Sequence, residues 1–208
     1  MTVPSHLEYM VDRKPFQLDP TGVTYGTIHF PIEEILRWSL GVHKVTTNFV
    51  PDWRFNFRCL RTPVEAGGTN LYVDVKFKRE IIQPAAEFDS MCTNIVQYST
   101  SHLTPRVASR KITAVLQGET VKLEELEISR EGIIVEEGKL FRKKQKVTYP
   151  WSAYLGLKEL NRVQLRVGDE TILAWCGGAG KGIGGDTVFR DHGIQPLVLN
   201  ALAQYFRE

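Results

Sequence analysis

Three short blocks of this chain occur twice, in the same order, and that repetition constrains the fold more than any other feature, because a repeated sequence must build the same supersecondary unit twice. The first block, Phe16 to Tyr25 (FQLDPTGVTY), matches Leu126 to Val135 (LEISREGIIV) at an offset of 110 residues. Both read as alternating apolar residues, a turn residue, a glycine and renewed alternation. This is a strand, a tight turn and a second strand, with Asp19 or Ser129 opening the turn and Gly22 or Gly132 free to take positive φ.

The second block, Ile28 to Ile35 (IHFPIEEI), matches Val147 to Tyr154 (VTYPWSAY) at an offset of 119, each with a large apolar residue directly after proline. The larger offset gives the second copy a hairpin nine residues longer. The third block, Phe77 to Pro84 (FKREIIQP), matches Phe189 to Pro196 (FRDHGIQP) at an offset of 112. A helical pattern follows each proline, with Phe88, Met91, Cys92, Ile95 and Val96 in one copy and Leu197, Leu199, Leu202, Ala203 and Phe206 in the other. Proline suits a helix start, where its missing N–H would find no intrahelical partner.

Alternating runs predict antiparallel strands at Val45 to Val50, Trp53 to Leu60, Leu71 to Phe77, Val163 to Val167 and Thr171 to Trp175. An amphipathic helix is predicted from Val107 to Leu116, ending at Gln117-Gly118. The expected organisation is therefore one domain at 12–103, a helical linker at 104–118 and a second domain at 119–208. The fold class is α+β, mainly β: each unit is a small antiparallel sheet or partly open barrel closed by a C-terminal helix.

Hairpin, proline-led strand, further strands and closing helix together resemble the pleckstrin-homology-like fold. Gln117-Gly-Glu-Thr-Val121, then Leu126 to Gly132, Tyr149-Pro-Trp151 and Ile194-Gln-Pro-Leu-Val198 ahead of a leucine-rich helix, are similar to an uncharacterised bacterial family of pleckstrin-homology-like proteins. The resemblance covers residues 117–208 and is echoed over 14–103, so it implies two such domains in tandem. It carries no catalytic residue over. The chain departs from the family at the last helix start, where Gln195-Pro196 stands in place of the usual asparagine.

A formal net charge of +2 argues against a dedicated nucleic-acid binder and makes any polyanion site local. Cys59, Cys92 and Cys176 fit neither a disulfide framework nor a CxxC metal site and read as reduced cytoplasmic thiols. The N-terminus lacks signal-peptide features, and no apolar stretch approaches membrane-spanning length, so the expectation is a soluble cytoplasmic chain, with peripheral attachment to a membrane left open.

The basic hairpin Gly138 to Lys146 puts five cations, Lys139, Arg142, Lys143, Lys144 and Lys146, within eight residues. Such a cluster could grip an anionic headgroup, with Leu140 and Phe141 entering the interface. The plainer reading is a solvated hairpin answering the acidic run Glu124, Glu125, Glu127, Glu131, Glu136 and Glu137. The first copy has almost no such loop. The glycine loop Cys176 to Asp186, with Gly177, Gly178, Gly180 and Lys181, invites comparison with a phosphate loop. It departs from GxxxxGK[ST] twice, at Trp175 and at Gly182, and an inter-strand loop accounts for it. A shorter parallel stands at Ala66 to Thr69.

His6, His29, His43, His102 and His192 show no metal-ligand spacing, and no GxSxG elbow is present. Cys92 reads as a core residue, and Cys176 near Lys181 as a thiol whose pKa could be lowered. No cofactor, metal or catalytic group is indicated. The leading expectation is a non-enzymatic interaction module for a protein partner. Peripheral binding of anionic lipid or another polyanion through 139–146 comes second, and an enzyme using loop 176–186 with Lys181 and Asp186 or Asp191 third. Partner identity and the number of copies, a homo-oligomer included, stay open.

Overall fold

The computed structural model describes residues 5–47, 50–61, 72–78, 85–123, 126–137, 145–158, 162–175, 180–181, 187–190 and 194–207, with the backbone alone at 42–47, 50–54, 72, 78, 85, 175, 180–181 and 187–190. The chain is mainly β with a few helices, and its described strands lie in four antiparallel sheets. It divides into two compact units, Met1–Val107 with Gly180–His192, and Ala108–Ala179 with Gly193–Glu208.

The first unit opens with a meander of four strands, β1 (Leu7–Val11), β2 (Lys14–Asp19), β3 (Gly22–Tyr25) and β4 (Ile28–Pro31). After Pro31 comes a single 3₁₀ turn, Ile32–Glu34. Then follow the long strands β5 (Ile35–Thr47) and β6 (Val50–Arg61), and β7 (Tyr72–Lys78). Period-two alternation puts Phe16 and Leu18 of β2, and Phe55, Phe57 and Cys59 of β6, in the core. Phe16 packs at 5.3 Å, centroid to centroid, on both Phe57 and Phe77, and Phe55 lies 5.7 Å from Phe77. On the solvent face Arg58 pairs with Asp74 at 2.6 Å.

Helix α1 (Ala85–Tyr98) passes through a π-helical turn, Ser99–Leu103, straight into α2 (Thr104–Leu116). Phe88, Ile95 and Tyr98 are buried, while Met91, Cys92 and Val96 are half-buried. As Gln117-Gly118 predicts, α2 ends on a glycine in left-handed conformation (φ +97°), with Gly118 N–H donating to Val115 O at 3.0 Å and Glu119 N–H to Ala114 O at 2.9 Å.

The second unit repeats the order. A four-stranded meander, β8 (Val121–Leu123), β9 (Leu126–Ile128), β10 (Gly132–Glu137) and β11 (Gln145–Pro150), leads through a proline and a 3₁₀ turn, Trp151–Ala153. A three-stranded sheet follows, β12 (Tyr154–Lys158), β13 (Arg162–Val167) and β14 (Glu170–Trp175). The correspondence reaches single residues. In both units the strand after the 3₁₀ turn carries a bulge at its second residue, Leu36 between Ile35 and Arg37, and Leu155 between Tyr154 and Gly156.

Two short strands, β15 (Gly180–Lys181) and β16 (Thr187–Arg190), precede the final helix α3 (Ile194–Arg207). They belong to the first unit. β16 pairs antiparallel with β5, Thr187 opposite Val42 and Arg190 opposite Ser39, giving a five-stranded sheet in the order β15-β16-β5-β6-β7. In space, then, the chain is cut differently from the sequence ranges 12–103 and 119–208, because residues 180–192 join the first unit. The strand ahead of the third repeated block lies in a different sheet setting in each copy: β7 pairs with β6, whereas β16 adds to the edge of β5.

Three local expectations change. Val45 to Val50 straddles two strands, since β5 ends at Thr47 and β6 begins at Val50. Strand β5 itself begins at Ile35, where the bulge puts buried Ile35 and Trp38 three residues apart and so hides the period-two signal. Leu197, taken as a core position of the last helix, is 47% exposed, and the buried face consists instead of Ile194, Val198, Leu199, Leu202 and Ala203.

Candidate functional site

In the second unit, Pro150 ends β11 and directs the chain into the 3₁₀ turn, where Trp151 is buried. Its indole Nε1–H donates to Ser129 O at 3.1 Å, and its ring stacks on Phe206 of α3 at 5.9 Å and 17°. These two contacts tie the β9–β10 hairpin, the turn and the closing helix together. Helix α3 packs on the 3₁₀ turn and on β12, and its outward stripe runs along the start of β12.

There a cleft of about 410 Å³ is lined by Tyr154, Leu155 and Gly156 from the strand and by Asn200, Ala203, Gln204 and Arg207 from the helix. The helix residues follow the three- and four-residue spacing of one helical face. Tyr154 O–H donates to Asn200 Oδ1 at 2.8 Å, fixing the floor. Arg207 Nε–H donates to Trp151 O at 3.3 Å, and its guanidinium lies 5.7 Å from the Tyr154 ring centroid. Leu155, at the bulge, is 40% exposed. Gly156 has φ +136° with no atom within 4 Å of a notional Cβ, so backbone conformation and not crowding calls for glycine there. None of the seven lining residues is acidic, and Arg207 gives the cleft one cationic end.

The cleft lies on the outer edge of its sheet. β12 is the terminal strand in the order β12-β13-β14, and among the described residues no strand pairs with its outer side. In the first unit the corresponding strand, β5, has β6 on one side and β16 on the other.

Of the sequence candidates, Lys139, Arg142, Lys143 and Lys144 lie outside the described residues, as do Gly177 and Gly178. Lys146 is described and is engaged by Glu127, donating to both carboxylate oxygens at 2.7 and 2.8 Å across β10. That hydrogen bond raises the ammonium pKa, with burial opposing it weakly and Glu136 adding to it. Tyr149 on the same strand donates to Glu137, and burial together with that bond pushes its phenol up to about 12. At this hairpin the acidic run therefore answers the described cation. Gly180 and Lys181 form the short strand β15, paired with Val188 and Thr187.

Cys92 is pushed up to about 12 by burial and by Asp89, far from a reactive thiolate. No cluster of three or more metal-ligating side chains occurs among the described residues. No described helix is long and apolar enough to cross a membrane. None of the cleft residues drew notice as a site in the sequence. The signal present was the last helix, where Asn200, Gln204 and Arg207 recur at helical spacing as one polar stripe.

No protein-family model matches the chain, no curated protein matches it, and no solved structure matches it.

Proposed function

We propose that the chain is a non-enzymatic interaction module of two tandem pleckstrin-homology-like units, and that the cleft between β12 and α3 of the second unit binds a protein partner. The order of four strands, a proline-led turn, three strands and a helix, present in both copies with β15 and β16 added before the helix in the second, supports the tandem reading. One observation carries the functional reading: a groove with an exposed leucine and an arginine lies along β12, an edge that no described strand pairs, flanked by the exposed Asn200, Gln204 and Arg207 of α3. The anionic-surface reading gains nothing from Lys146, which Glu127 already engages.

A photo-reactive benzoylphenylalanine placed at Leu155, in cells that make the protein, tests this. Leu173 is the control, since it is 42% exposed on the far strand of the same sheet. A discrete adduct of higher mass at Leu155 and not at Leu173, unchanged when anionic vesicles are added to the lysate, is expected. No adduct at either position, or equal adducts at both, overturns the reading.

A further inference from the structure

Resting on that reading, we infer that the partner bound at the cleft presents carboxylates to the cations Lys158 and Arg162, so that the second unit selects an acidic protein surface. The argument starts from the internal repeat. Counted from the bulge that both units carry, Ser39 of β5 corresponds to Lys158 of β12. Ser39 stands opposite Arg58 and Arg58 opposite Asp74, so across these three strands the row reads serine, arginine, aspartate. In the second unit Lys158 stands opposite Arg162 and Arg162 opposite Trp175, and the corresponding row reads lysine, arginine, tryptophan. The arginine of the middle strand recurs, while the acid that answers it is replaced and a second cation is set directly opposite it.

Asp74 takes up Arg58 at 2.6 Å. Among the described residues nothing does the same for Lys158 or Arg162, and both are exposed. Like charges directly opposite on neighbouring strands destabilise a sheet, so this pair gains only when an anion arrives from outside. Alternation along β13 puts Arg166 on the same face, with Val163 and Leu165 buried on the other, and no described residue of the outer face is acidic. The pair also adjoins the cleft. Gly156 lines it, and Lys158 lies two residues further along β12 on the same face, about 7 Å away. Arg207 stands at the opposite end, beside Trp151 O and the Tyr154 ring. The cleft thus has a cation at each end and no acid along its lining, a pattern that an anionic partner surface complements. β14, which carries Leu173, lies beyond the Lys158 and Arg162 pair.

The test adds Lys158→Glu to the full chain that carries benzoylphenylalanine at Leu155. This substitution sets a carboxylate opposite Arg162, as Asp74 stands opposite Arg58, so the thermal midpoint should equal or exceed the parent's. The adduct should nevertheless fall about tenfold or more. Lys76→Glu, an equal change of charge at an exposed position of the first unit, should leave it unchanged. Mass spectrometry of the parent adduct should find Asp or Glu in the tryptic peptide that carries the crosslink, and changing those acids to lysine should restore the adduct with the Lys158→Glu chain. An adduct that survives Lys158→Glu, or that Lys76→Glu weakens equally, overturns the inference, as does a crosslinked peptide without acids. An unchanged adduct beside loss of sedimentation with phosphatidylserine vesicles would assign the cations to a lipid surface and overturn it likewise. Each of these outcomes keeps the parent adduct at Leu155 and spares the protein-partner reading, whereas no adduct in the parent sinks both.

Discussion

Gly22 and Gly132 each face a proline across a hairpin, Pro31 in one unit and Pro150 in the other. A Cβ at Gly22 would stand 2.0 Å from Phe30 O, and one at Gly132 would stand 1.9 Å from Tyr149 O. With φ at +155° and +151° as well, alanine at either position should destabilise its unit by about 3 kcal/mol. Gly168 has φ +62° and open space, so Gly168→Ala should cost about 1 kcal/mol, and urea denaturation of the three variants separates the cases. The turn before Gly22 adds a pH signature. Burial is the largest single influence on the Asp19 carboxyl and raises it, but the Thr21 hydroxyl and the Thr21 and Gly22 N–H groups together outweigh it and hold the pKa below the usual range. The stability it contributes is full above the unfolded value of about 3.9 and is lost as pH falls through the folded one. Asp19→Ala should therefore lower stability by about 1 kcal/mol at pH 7, with the gap closing below about pH 4. The turn and its glycine were legible in the sequence because local chemistry decides them. The collision with the facing carbonyl was not, since it depends on pairing.

At the scale of elements, Trp151 joins the β9–β10 hairpin to α3 through one hydrogen bond and one stacked ring. Trp151→Ala should cost about 3–5 kcal/mol and loosen α3 first, seen as early loss of amide protection over Ile194–Arg207. The repeat aligns Trp151 with Ile32, each the large apolar residue after a proline, and both are buried. Where reading failed at this scale, the cause was interruption of a period. The bulge after Ile35 broke the alternation of β5. The step from Thr47 to Val50 let one apparent strand run across two real ones. In α3, leucine content suggested core at Leu197, whereas the phase set by Ile194, Val198 and Leu202 turns that residue outward. The cleft was illegible for the same reason: it depends on which stripe of the helix the sheet leaves uncovered.

For the whole molecule, the repetition was visible from three blocks in register, but the fate of the last strand was not. Pairing partners are non-local, and nothing in Thr187 to Arg190 states which sheet it joins. A chain ending at residue 118 lacks β16 and leaves Ser39 to Val42 of β5 without that partner, so hydrogen exchange should show their amide protection fall relative to the full chain. The two units differ here: β5 has a strand on each side from Ser39 to Val42, whereas among the described residues β12 pairs with β13 alone. Residue-resolved amide hydrogen exchange of the free full-length chain tests it most directly. Between two neighbours, every amide from Ser39 to Val42 should be protected, while along β12 protected amides should alternate with fast ones. Continuous protection along β12, or edge-like alternation from Ser39 to Val42, would contradict the account.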